Sequence, residues 1–271
     1  KKLLKIAFPF ALAAIFVKVF SYVDTIFISK MIDTTAVSIY SIAYKFTYAF
    51  QFLPLAFTAA LYPGFSSLVG KDASALKQMF FRGMWYMMIL AIPIVFGLWA
   101  IAPEAVMLAG EGYVESALIL QILAFVLIPI FLDFPIGSLL NAADRQITKT
   151  TIVGITMIIN VVLNALLIPQ LGIAGAAYAA LASFTFMFFA GLAFVPQIIK
   201  TFSVFQLIRA LLPILFSGLI MLMGTLLLKP YVGWIAVIPI SAIIYLLSLI
   251  LTRSVSRDDL QLVRTLFQKN V

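Results

Sequence analysis

Cysteine and histidine are both absent from this sequence, and charged residues make up only 10% of it. The first two absences remove disulfides, thiolate and imidazole metal sites, and Cys/His or Ser/His catalysis together. Any chemistry here must use carboxylates, amines, amides or hydroxyls. The scarcity of charge excludes a soluble domain: 64% of the 271 residues are hydrophobic and the mean hydropathy is +1.17.

What the sequence has in abundance is apolar runs long enough to cross a bilayer. A hydrocarbon core about 30 Å thick needs roughly 20 such residues per helix. Eight spans are expected, at 3–28, 35–62, 84–101, 114–140, 150–168, 172–194, 207–228 and 232–251, which makes the chain an all-α polytopic transmembrane bundle. Pro63-Gly64, Gly110 with Gly112, Pro169 to Gly172, and Pro230 with Gly233 supply the breaks between them. The basic start, Lys1, Lys2 and Lys5, is followed by an apolar run without a small-residue cleavage site, so it reads as a span. The chain starts without Met, and it is expected to be part of a longer protein.

Three linkers carry interfacial patterns. Asp72 or Ser74 is expected to cap a short headgroup helix bearing Leu76, Met79, Phe80 and Phe81 with Lys77 and Arg82. Ser203 starts a similar segment. In the tail, Ser256 and Asp259 form a variant capping box ahead of a Leu260, Val263, Leu266, Phe267 stripe.

Fourteen of the 18 Lys and Arg residues fall on the side of the N-terminus, whereas Lys30 and Lys229 lie opposite among Asp33, Glu104, Glu111 and Glu115. By the positive-inside rule both termini are cytoplasmic and the chain is a multi-pass cell-membrane protein. The net charge of +8 then reflects topology and attraction to anionic membrane lipids. It gives no support for nucleic-acid binding.

Ionisable residues inside spans are costly and normally face a partner or a wet cavity. Lys18 and Asp24 fall in the first span, Lys45 in the second, and Asp133 in the fourth between Pro129 and Pro135. On a helical wheel Lys18, Ser21, Tyr22, Thr25 and Ser29 share a stripe with Asp24 at its edge. In the second span Tyr40, Tyr44, Thr47, Tyr48 and Gln51 cluster with Lys45 beside them. An antiparallel hairpin puts Lys18 and Lys45 at similar depth, about 15 Å below the outer surface, so both are expected to line one cavity. The alternative is a Lys18–Asp24 ion pair, with Lys45 snorkelling among tyrosines. Lys18, Tyr22, Asp24, Tyr44, Lys45, Tyr48 and Gln51 are therefore candidate substrate-binding residues.

Asp133, Asn160 and Asn164 are candidate cavity or coupling residues. Thr156, Asn160 and Asn164 share one face of the fifth span, a pattern that interhelical hydrogen bonding also explains. The sixth span carries Gly172/Ala176/Ala180 and Gly175/Ala179/Ser183, which is close helix packing. No catalytic residue, cofactor or metal site emerges. Asp144-Arg145 is the one suggestive interfacial pair, and it reads as a salt bridge or topology signal.

Two stretches carry a family resemblance. YVDTIFISKMIDTTAVSIYSIAYKFTYAFQFLPLAFTAALYPGFSSL, at 22–68, resembles the seventh and eighth helices of polysaccharide flippases in the multidrug/oligosaccharidyl-lipid/polysaccharide exporter superfamily. NAADRQITKTTIVGITMIINVVLNALLIPQLGIAGAAYAALAS, at 141–183, resembles the same family's Asn-rich helix ending in LLIP and its Gly-Ile-x-Gly-Ala-Ala helix start. The resemblance implies two six-helix lobes around a central cavity, working by alternating access. This chain would supply the second lobe at 1–200, two additional helices at 201–252 and a cytoplasmic amphipathic tail at 253–271. Its partner would be the missing first lobe or a second copy of the chain. The implied activity is translocation of a polyprenyl-diphosphate-linked oligosaccharide during polysaccharide biosynthesis. A cation-coupled multidrug exporter is the alternative, although Lys18 and Lys45 suit anions better than cationic drugs. A membrane enzyme acting on lipid-linked sugars fits less well, because the outer loops are too short to hold converging acids and bases.

Overall fold

The computed structural model describes residues 2–252 and 254; for 2–10, 12–14, 17 and 21 it describes the backbone alone. The tail stripe expected after Ser256 lies outside the described residues. Among the described residues there are nine α-helices and no strand: α1 (Lys2–Met31), α2 (Thr34–Tyr48), α3 (Phe52–Leu68), α4 (Ala73–Met107), α5 (Ser116–Ala142), α6 (Gln146–Leu171), α7 (Ile173–Leu192), α8 (Val204–Val232) and α9 (Trp234–Leu251). The six from α4 to α9 are each long and apolar enough to cross a membrane.

The expected second span is two helices. Pro54 has no N–H for the Phe50 carbonyl four residues back, so that carbonyl takes Leu53 N at 3.2 Å instead. Phe50 N to Thr47 O and Gln51 N to Tyr48 O are likewise three-residue bonds, and the turn at 49–51 separates α2 from α3. Pro63-Gly64, expected to end the span, lies within α3, which continues to Leu68.

The expected headgroup helix is also not separate. Asp72 caps it as anticipated, accepting from Ser74 N at 3.0 Å and Ala75 N at 2.9 Å, but the helix then runs on for 35 residues. Nothing between Arg82 and Met84 breaks it, and Leu76 and Phe80 are buried in the same core as the span that follows. Ser203 caps in the same way, accepting from Gln206 N at 3.4 Å, and opens the continuous α8.

The centre of the bundle is α5. It is apolar on every side and buried along most of its length, as a helix must be when other helices surround it. It packs against α4 and α7, and more lightly against α2 and α3. α6 lies mainly against α1 and α7. The two small-residue stripes are buried along α7, with Gly172 half-buried at the turn before it: a Cβ on Gly175 would fall 2.4 Å from the Leu167 carbonyl oxygen of α6. Gly172, at φ 59°, makes the reversal between α6 and α7 that a side chain would strain.

α8 and α9 attach to the outside of α4 through polar contacts set in apolar surface. Lys229 Nζ lies 2.9 Å from Glu104 and donates to the Ala100 carbonyl at 2.8 Å. Tyr245 donates to the Ile89 carbonyl at 3.0 Å. Thr225 and Ser241 join α8 to α9 at 2.6 Å.

Candidate functional site

A cavity of about 350 Å³ opens between α1, α2, α5, α6 and α7. Its walls are largely apolar, with Leu123, Val126, Leu127 and Ile130 from α5 and Phe184 and Met187 from α7. The polar lining comes from Lys18 and Asp24 on α1, Tyr40, Tyr44, Thr47 and Tyr48 on α2, Gln51 at the helix break, Asp133 on α5, and Lys149 and Thr156 on α6.

At one end sits a buried carboxylate. Asp24 Oδ2 accepts from Tyr40 Oη at 2.7 Å, and Oδ1 accepts from Asn164 Nδ2 at 2.7 Å. Asn164 Nδ2 also donates to the Asn160 carbonyl at 2.9 Å and to its side-chain oxygen at 3.1 Å. Asp24 is seven residues before the end of α1, Tyr40 six after the start of α2, and Asn164 seven before the end of α6. All three therefore lie about 10 Å beneath the same end of the bundle. Thr156, Asn160 and Asn164 are each at most 1% exposed, so the face anticipated in the fifth span meets α1. No ion pair reaches Asp24 among the described residues. Its oxygens are met by hydrogen bonds alone among the described residues, and Asn160 Nδ2 and Asn164 Oδ1 remain buried without partners. Carboxylate and amide oxygens gathered in this way suit a proton or a hard cation.

Toward the other end Lys149 Nζ meets Asp133 Oδ2 at 2.5 Å. Between the two clusters Lys18 contributes an ammonium that makes no hydrogen bond or ion pair to another described residue, so the expected alternative pair with Asp24 does not form.

Of the candidate residues, Lys18, Asp24, Tyr44, Tyr48 and Gln51 line this cavity together, and Asp133 joins them. Lys45, Tyr22, Asn160 and Asn164 do not. Lys45 lies one residue and about 100° away from the Tyr40, Tyr44, Tyr48 face that lines the cavity. Tyr22 follows Lys18 by four residues, on the side of it away from Asp24 and from the cavity lining. The shared cavity of Lys18 and Lys45 is thus replaced by one of Lys18 and Lys149. The span expected at 150–168 leaves Lys149 just outside it, yet α6 begins three residues before this lysine. Arg145 bonds Gln197 Oε1 and forms no pair with Asp144 among the described residues.

The family comparisons agree with this architecture. The chain resembles "Probable flippase AglR" of Haloferax volcanii, with 27% identity over 187 residues that cover 67% of this chain and 39% of that protein. Its fold matches the solved structure of "Lipid II flippase MurJ, inward closed conformation" with a TM-score of 0.75 and 20% identity, over 92% of this chain and 54% of that one. The chain thus spans about two fifths of the first relative and about half of the second. The MatE family profile matches residues 9–166, more than half of the chain. The chain belongs to the MatE family of the multidrug/oligosaccharidyl-lipid/polysaccharide exporter superfamily.

Proposed function

We propose that this chain is the second half of a flippase that moves a polyprenyl-diphosphate-linked oligosaccharide across the cell membrane by alternating access. The observation that carries this reading is the placement of Lys18, an exposed cation without a protein partner among the described residues, in a cavity with apolar walls where Lys149 is the other cation. An anionic head group gains most from such a charge where water is scarce. The lipid tail remains in the bilayer, and no covalent step is needed. Two relatives carrying flippase in their names support the class of activity.

In this reading residues 1–200 form one lobe, 201–252 add two helices, and both termini face the cytoplasm. The first lobe, or a second copy of the chain, completes the pathway. Asp24 with Asn160 and Asn164 provides a site where a coupling ion or proton can bind as the lobes rock, and Asp133 is a second carboxylate in the same cavity.

The test is leaflet movement of a fluorescent polyprenyl-diphosphate oligosaccharide in vesicles containing the protein, alongside efflux of an organic cation. Lipid movement that falls at least about tenfold with Lys18→Gln, without cation efflux, is the expected result. Cation efflux without lipid movement would favour the multidrug exporter instead.

A further inference from the structure

The cavity also holds an ion pair whose surroundings are unusual for a structural clamp. Lys149 reaches Asp133 across Gly137, one helical turn further along α5, where a Cβ would stand 3.3 Å from Lys149 Cε. Gly191 of α7 also approaches α5 here, where a Cβ would meet Ile136 Cγ2 at 2.9 Å and lie 3.6 Å from Asp133 Oδ1. Gly137 is thus the glycine that makes room for the lysine. Asp133 Oδ1 is buried and makes no hydrogen bond, so the carboxylate is only half satisfied. The lysine and aspartate side chains keep 18% and 10% exposure, and both line the cavity.

A pair that only fastened helices would be expected to satisfy both carboxylate oxygens and to sit in a tight interface. Here α5 and α6 touch sparsely, each packing mainly against other helices. Pro129 and Pro135 flank Asp133 and weaken the backbone ladder around it. An ammonium has three donors, and one is directed at Asp133. In a partly desolvated ion pair, attraction and desolvation nearly cancel, so a more highly charged anion competes effectively for the cation.

Building on the proposed function, we infer that the Lys149–Asp133 pair is an anion-exchange site. The phosphate of a lipid-linked ligand takes Lys149 from Asp133, and the Asp133 carboxylate competes for the same ammonium when no ligand is bound. Asp133 then sets a threshold: head groups of weak charge fail to displace it. Lys18 adds attraction from the same cavity without such a competitor.

The experiment is equilibrium binding of farnesyl diphosphate to the detergent-purified chain in four forms: unaltered, Asp133→Asn, Lys149→Gln and the double variant. Removing the competitor should tighten binding about tenfold, and removing the cation should weaken it by a similar factor. The decisive comparison is the double variant, which should bind like Lys149→Gln, because Asp133 acts only through that lysine. Tightening by Asp133→Asn that persists without Lys149 would reflect general repulsion and overturn the exchange. So would lower thermal stability of Asp133→Asn at unchanged affinity, the signature of a clamp. If Lys149→Gln strands Asp133 and fails to fold, the double variant is compared with Asp133→Asn instead: weaker binding by the double variant supports the exchange, and equal binding overturns it. Binding that depends on Lys18 but ignores both substitutions overturns the exchange and leaves the proposed function standing. No binding by any form overturns both.

Discussion

Asn164 of α6 donates to the carboxylate of Asp24 on α1 across 2.7 Å, and it joins helices 140 residues apart in the chain. With Tyr40 donating to the other oxygen, three helices meet on one buried acid. Asn164→Leu should leave Asp24 short of a donor and lower stability by about 1–3 kcal/mol, as expected when a buried acceptor loses its partner. Tyr40→Phe should act in the same direction. Thermal unfolding in detergent measures both, and unchanged midpoints would mean that the cluster holds nothing together.

Close approach of α6 and α7 at Gly175 gives a second expectation. A side chain there meets backbone at Leu167, which cannot rotate away. Gly175→Leu should therefore reduce the folded yield sharply, and Gly175→Ala should cost about 1–3 kcal/mol. Size-exclusion recovery and thermal melts report each. Full recovery of the leucine variant would show that the two helices separate at little cost.

The Lys229–Glu104 pair links α8 to α4 at 2.9 Å. A double-mutant cycle with Lys229→Ala and Glu104→Ala should give a coupling of about 1 kcal/mol, since neither partner is fully buried. Additive losses would place the attachment of α8 in the hydroxyl contacts and apolar packing instead.

Orientation is open to labelling because the chain has no cysteine of its own. A cysteine at Glu111 should react with an impermeant thiol reagent added outside cells, whereas one at Ala73 should react only after permeabilisation. The reverse pattern would invert the proposed topology.

Much of this arrangement was legible in the sequence, because a membrane span declares itself by length and hydropathy and a buried polar residue by its cost. The small stripes, apart from half-buried Gly172, and the Thr156, Asn160, Asn164 face were read from spacing alone and are buried. The break at 49–51 was missed although Pro54 is its cause; a proline four residues after Phe50 was the available signal. The headgroup helix was separated from α4 by its charges, but no residue there breaks a helix. Lys149 was hidden by its position near a span end, where a lysine ordinarily signals topology. Its partner was one helix earlier: Gly137 lies a turn beyond Asp133, leaving a lane that only tertiary placement reveals. Lys45 fell outside the cavity because 100° of helical phase outweighs equality of depth.

The central claim is that an anionic lipid-linked head group enters the cavity beside Lys18. A polyprenyl-diphosphate sugar carrying a diazirine next to the diphosphate, photolysed in membranes containing the protein, tests it most directly by mass-spectrometric mapping of the adducts. Adducts are expected on the cavity-lining faces of α1, α2 and α5, around Lys18, Tyr44, Tyr48 and Asp133, and are expected to be lost in Lys18→Gln. Adducts confined to the exposed faces of α8 and α9, unaffected by that substitution, would contradict it.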